Sequence, residues 1–119
     1  MENRMYPPAT REIAQTRRSL APESQAAFDA FSRTVFAAGT LTAKMKQIIA
    51  VAVAHTTQCP YCIKGHTKAA LRAGATREEL MEAIWVAAEM RAGAAYAHSA
   101  LAISVFDDEP PAPKGPAGG

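Results

Sequence analysis

LTAKMKQIIAVAVAHTTQCPYCIKGHTKAALRAGATREELMEAIWVAA (residues 41–88) decides the fold class, because its apolar residues recur every three to four positions and never alternate as in a strand. Thr42 is a good N-cap, and Met45, Ile48, Ile49, Ala52 and Val53 follow helical spacing up to His55. A second helix is expected from at or just before Cys59 to Gly74, where glycine takes a left-handed closing conformation without a Cβ penalty. Thr76 and Glu79 then read as a capping box that starts a third, carrying Leu80, Ile84, Trp85 and Ala88.

The same periodicity extends outward in both directions. Upstream, a helix is expected from about Thr10 to Leu20. Another begins near Pro22, a residue favoured at the first helical position, and is closed by Gly39. Its stripe of Ala27, Phe28, Phe31, Val35 and Phe36 reads as core or subunit contact. Downstream, Ala92 to Val105 is helical and separated or kinked around Gly93. The reading is therefore all-α: a compact subunit of about five to six helices. Residues 1–8 are expected to be a flexible N-terminus, 9–106 a single helical domain, and 107–119, with four prolines and three glycines, a disordered tail.

Composition narrows the function. The chain has 119 residues, 49% hydrophobic and 20% charged, which suits one domain, and an aromatic content of only 7% gives it a thin core that oligomerisation would thicken. Thirteen Lys and Arg against eleven Asp and Glu are scattered, so no cationic stripe for nucleic acid or anionic lipid emerges. The first residues lack the apolar run of a secretory signal, no window suits a spanning helix, and the protein is expected to be cytoplasmic.

The chemistry concentrates at Cys59-Pro60-Tyr61-Cys62. On a helix, Cys62 lies at i+3 and His66 at i+7 from Cys59, so the two thiols and the imidazole share one side. A thiol at a helix start is favoured as thiolate by unpaired N–H groups and the positive end of the macrodipole, which singles out Cys59. His66, one turn from Cys62, is placed to take its proton. Two thiols this close can also close an intramolecular disulfide after one has attacked an oxidant. His55, Cys59, Cys62 and His66 are four zinc-type ligands within twelve residues. However, a helix separates positions seven apart by ~10 Å, too far for one tetrahedral ion, so no metal site is expected.

Residues 41–88 resemble the core of the carboxymuconolactone decarboxylase superfamily, in its alkylhydroperoxidase-D-like branch. The most specific part is Cys59 to His66, followed by the Gly74 stop and the helix containing Glu78, Glu79 and Leu80. The resemblance implies a helical subunit assembled into trimers or hexamers. It further implies a redox dithiol that reduces a hydroperoxide or disulfide substrate and is reset by an external lipoyl or thioredoxin-like dithiol donor, with no metal, flavin or haem cofactor. It assigns first attack to Cys62, resolution to Cys59 and proton relay to His66, whereas the helix-terminus argument favours Cys59 as the readier thiolate. Two positions depart from the branch: Gln47 stands where its relay glutamate is found, and Tyr61 where it has a histidine. Glutamine orients by hydrogen bonding but takes up no proton, and His55 is a candidate substitute base. Arg91, as a carboxylate ligand, and His98, in the last helix and able to reach the site of its own or a neighbouring subunit, are further candidates. The alternatives are a non-enzymatic oligomeric or zinc-stabilised binding module of the same fold, and a carboxymuconolactone-decarboxylase-like enzyme, which needs no cysteine pair.

Overall fold

Five helices account for the chain in the computed structural model, which describes residues 5–113 and 115: α1 Arg11–Leu20, α2 Pro22–Phe36, α3 Ala43–Thr57, α4 Pro60–Arg72 and α5 Arg77–Phe106. No strand occurs among the described residues. Residues 1–4 of the expected flexible N-terminus, and residues 114 and 116–119 of the expected tail, lie outside the described residues.

Local chemistry sets nearly every boundary. The Oγ1 atoms of Thr10, Thr42 and Thr76 accept from the N–H three residues on, at 3.2, 3.0 and 3.0 Å, and so cap α1, α3 and α5. At α5 the box is reciprocal, with the Thr76 N–H donating to Glu79 Oε1 at 2.9 Å. Gly74 at φ +100° closes α4, and Ala75 N–H returns to the Ala70 carbonyl at 2.9 Å. α2 stops at Phe36, before the expected Gly39, because Ala37 turns extended and Lys46 Nζ donates to the Val35 and Ala37 carbonyls at 2.8 and 2.6 Å.

α3 is the central element, with α4 and α5 packed on it and the α1–α2 hairpin meeting it more lightly through α2. The core is small: Ile48 and Val51 of α3 meet Ala70, Ala75 and Leu80, with Ala83 and Ile84 at its edge. Lys44 pairs with Glu79 at 3.1 Å and ties the first turns of α3 and α5 together.

Two expectations need correction. α5 runs uninterrupted through Gly93 for 30 residues, since one glycine costs a helix only about 1 kcal/mol and its neighbours are alanine-rich. Nor is the chain compact: its radius of gyration is 21.7 Å, against about 13–14 Å for a compact chain of this length. Phe28, Phe31 and Trp85 stand 63, 65 and 67% exposed, so the first part of the α2 stripe and part of α5 face away from the core of the chain. Among the described residues no helix is long and apolar enough to cross a membrane.

Candidate redox site at the start of the fourth helix

The turn between α3 and α4 positions the thiols. Gln58 adopts the left-handed conformation (φ 58°) that ends α3, and Cys59 N–H reaches back to the Ala54 carbonyl at 3.2 Å. Cys59 is then the N-cap of α4: its Sγ accepts from the Cys62 N–H at 3.2 Å, and Pro60 follows at the first helical position, where its missing N–H costs nothing. Cys59 and Cys62 are joined as a disulfide with Cα atoms 5.2 Å apart, within the usual range for such a bond.

One turn further on, His66 Nδ1 lies 2.8 Å from Gln47 Oε1 on α3. An amide oxygen only accepts, so in the neutral form of the ring Nδ1 carries the proton and Nε2 has the free lone pair. Phe36, the last residue of α2, stacks on the imidazole with centroids 5.1 Å apart and planes at 23°. The ring is thereby held by one hydrogen bond and one flat apolar face. Cys62 and His66 are each half-buried.

Two cavities meet at these residues. One, of about 400 Å³, has an apolar wall of Val35, Phe36, Ile49, Val53 and Ala54 and ends on Cys62 and His66. The other is an open cleft of about 740 Å³ with Arg18, Asp29 and Arg33 on the hairpin side and Gln47, Cys62 and His66 opposite. Cys62 borders both cavities, while Cys59 lines neither. Thus Cys62 borders the space a small molecule can occupy, whereas Cys59, at the N-cap of α4, does not.

The remaining sequence candidates take other positions. Tyr61 lines the cleft, but its hydroxyl donates to the Pro7 carbonyl at 2.7 Å and its ring meets Tyr6 edge-on. His55 Nδ1 lies 2.8 Å from the Val51 carbonyl, a contact back within α3, and His55 borders neither cavity. Arg91 donates to the Thr56 carbonyl at 2.6 Å and so closes the end of α3. His98 is exposed on the distal half of α5. Among the described residues no three His, Cys, Asp or Glu side chains converge as a group that could hold a metal ion.

Phe36, Arg33 and Lys46 belong to the site's surroundings, yet only Phe36 carried any sequence signal, as part of an apolar stripe. The spacing that brings it to His66 arises from how α2 docks on α3.

The model of the Carboxymuconolactone decarboxylase family matches residues 22–104. The uncharacterised protein 4 of the cox locus of Paracoccus denitrificans is 58% identical over 102 residues, covering 86% of this chain and 91% of that one. A carboxymuconolactone decarboxylase family protein from Legionella pneumophila, solved by crystallography, shares 32% identity at a TM-score of 0.64, covering 83% of this chain and 91% of that one. A crystal structure from Methanobacterium thermoautotrophicum shares 38% identity at a TM-score of 0.66, over 69% of this chain and 94% of that one.

Proposed function

Since this chain belongs to the carboxymuconolactone decarboxylase family, we propose that it is a thiol–disulfide oxidoreductase that reduces hydroperoxides through the Cys59–Cys62 pair, with His66 as proton relay. One observation carries the reading: a cysteine pair joined at a helix start, of which Cys62 shares two cavities with an imidazole whose Nδ1 lies 2.8 Å from Gln47 Oε1.

Each side chain then has a task. In the reduced protein, His66 Nε2 takes the Cys62 proton, and the thiolate attacks the terminal oxygen of the hydroperoxide. An S–O bond forms as the O–O bond breaks, and the departing alkoxide takes a proton back from His66 and leaves as alcohol. Cys59, whose thiolate is favoured by the Cys62 N–H and the helix dipole, attacks the sulfenic sulfur. The S–S bond forms as the S–O bond breaks, and the hydroxide leaves as water by taking up, through solvent, the proton that Cys59 lost on ionising. An external dithiol returns two electrons. This ordering reconciles the helix-terminus argument with first attack at Cys62: the readier thiolate is the resolving one, and the cysteine that borders the cavities meets the oxidant. Gln47 orients His66 without exchanging protons. The apolar wall beside Cys62 suits an organic hydroperoxide, and a cytoplasmic setting suits an exposed dithiol that must be reset.

Intact mass and thiol titration of the reduced protein before and after one equivalent of an organic hydroperoxide test the reading. Loss of both thiols with a fall of about two mass units is expected, reversed by a dithiol and abolished in Cys59→Ser or Cys62→Ser. Thiols that persist under peroxide would overturn it.

A further inference from the structure

Each turnover of such a dithiol needs an oxidant and a reductant, and the two cavities at Cys62 differ in character. The first has an apolar wall, and its one cation, Lys46, is engaged by the Val35 and Ala37 carbonyls. The charged groups lining the second are Arg18, Asp29 and Arg33. Asp29 is already engaged, accepting from Gln25 Nε2 at 2.9 Å and facing Arg18 at 3.8 Å. The Arg33 side chain has no hydrogen-bond or ion-pair partner among the described residues, so the cleft that Cys62 also lines keeps one unpaired cation. Its floor is also kept open. Gly65 lines it in the middle of α4, where glycine costs about 1 kcal/mol relative to alanine. It has no positive φ, and a Cβ built there meets no atom within 4 Å, so neither backbone conformation nor packing accounts for the glycine.

We propose that the Arg33 cleft is the reductant's docking site and that it selects a small dithiol bearing a carboxylate, which Arg33 holds while the dithiol attacks Cys62. The inference rests on the dithiol reading above and adds the reductant's charge and its side of approach. A thiol attacks a disulfide as its thiolate, so the approaching nucleophile is itself an anion, whereas a hydroperoxide is neutral. A cation belongs on the reductant's path. In the step, a donor thiolate bonds to Cys62 Sγ, the Cys59–Cys62 bond breaks and Cys59 leaves as thiolate onto its N-cap position. The donor's second thiolate then displaces Cys62, closing the donor as a cyclic disulfide. Two electrons pass to the protein and the donor's two protons end on the two cysteines or in solvent.

The test uses two donors of identical dithiol chemistry, dihydrolipoate and dihydrolipoamide, the first anionic and the second neutral. The rate at which each regenerates thiols in the oxidised full-length protein is measured at low ionic strength. The carboxylate form is expected to be about two- to fivefold faster. That ratio should fall to one in Arg33→Gln and below one in Arg33→Glu, and shrink at 0.5 M salt. Matching melting temperatures for the parent and Arg33→Gln exclude a folding cause. Gly65→Leu, which projects into the cleft, should lose most of the rate with both donors. A ratio of one in the parent, or a preference that survives Arg33→Glu, would overturn the inference while leaving the dithiol reading intact. If neither donor opens the disulfide and peroxide does not close it, the dithiol reading itself fails.

Discussion

At the scale of single residues, His66 is the group whose removal is most informative, because its hydrogen bond to Gln47 leaves one nitrogen free beside Cys62. His66→Ala is expected to slow peroxide-driven thiol loss by about 10²-fold at neutral pH. The deficit should narrow toward pH 9, where thiols ionise without help; equal slowing at both pH values would remove the relay role. Gln47→Leu deprives Nδ1–H of its acceptor and should cost about three- to tenfold, with Gln47→Glu restoring an acceptor and most of the rate. Unimpaired turnover in Gln47→Leu would mean that the tautomer is fixed some other way. Cys59, Cys62 and His66 were legible in the sequence because a single helix carries all three, and helical spacing alone puts them on one side. The cation at Arg33 and the ring stacked on His66 were not. They arrive on α2, and nothing in the 37–42 connection or in either helix's periodicity states which residues of one will face which of the other.

At the scale of helices, caps were readable and interruptions were not. Thr10, Thr42, Thr76 and Glu79 act through neighbours three residues away, so the capping signal is complete within a short window. Gly93 suggested a break, but whether a glycine bends a helix depends on what packs around it. In α5 it does not interrupt the helix, and a Cβ there would meet only the flexible end of Glu89 at ordinary contact distance. Gly93→Ala should therefore stabilise the protein by about 0.5–1 kcal/mol in thermal or denaturant unfolding, whereas a hinge at this position would make alanine destabilising. The start of α5 carries a pH dependence of definite sign. The Glu79 carboxyl is held below its ordinary value of 4.5, first by the Thr76 backbone N–H and then by the Lys44 ammonium. A depressed carboxyl stabilises the fold above its unfolded value and ceases to do so as pH falls through the folded one. The melting-temperature gap between the parent and Glu79→Gln should thus be present at pH 7 and close below pH 4.5, and a gap that widens in acid would contradict the assignment. Thr76→Ala should cost about 1 kcal/mol.

At the scale of the whole molecule, length alone leaves α5 without enough to pack on. Thirty residues of helix extend about 45 Å and the fifteen of α3 about 22 Å, so α3 covers roughly half of its neighbour. The distal half exposes Tyr96 at 72%, Leu101 at 67% and Phe106 at 69%. Met81, Trp85, Tyr96 and Ile103 fall on one stripe, since steps of four, eleven and seven residues each return close to the same helical face. The protomer's accessible surface of 9956 Å² compares with about 6,200 Å² for a compact monomer of 12.6 kDa. The excess is of the size that permanent subunit interfaces bury. The exposed aromatic and aliphatic side chains of α5 are expected to be covered by a like surface, and the simplest source of one is another copy of the same chain. Sedimentation equilibrium is expected to give a mass several times 12.6 kDa, in keeping with a trimer or hexamer, and a melting temperature that rises with protein concentration. Tyr96→Glu combined with Ile103→Glu places two charges on the stripe beyond the reach of α3. That variant should fall to smaller species and lose helicity, because the small core around Val51 cannot hold a helix of this length unaided. A parent protein that sediments as a single stable protomer would show instead that α5 folds without a partner, and the excess surface would then need another explanation.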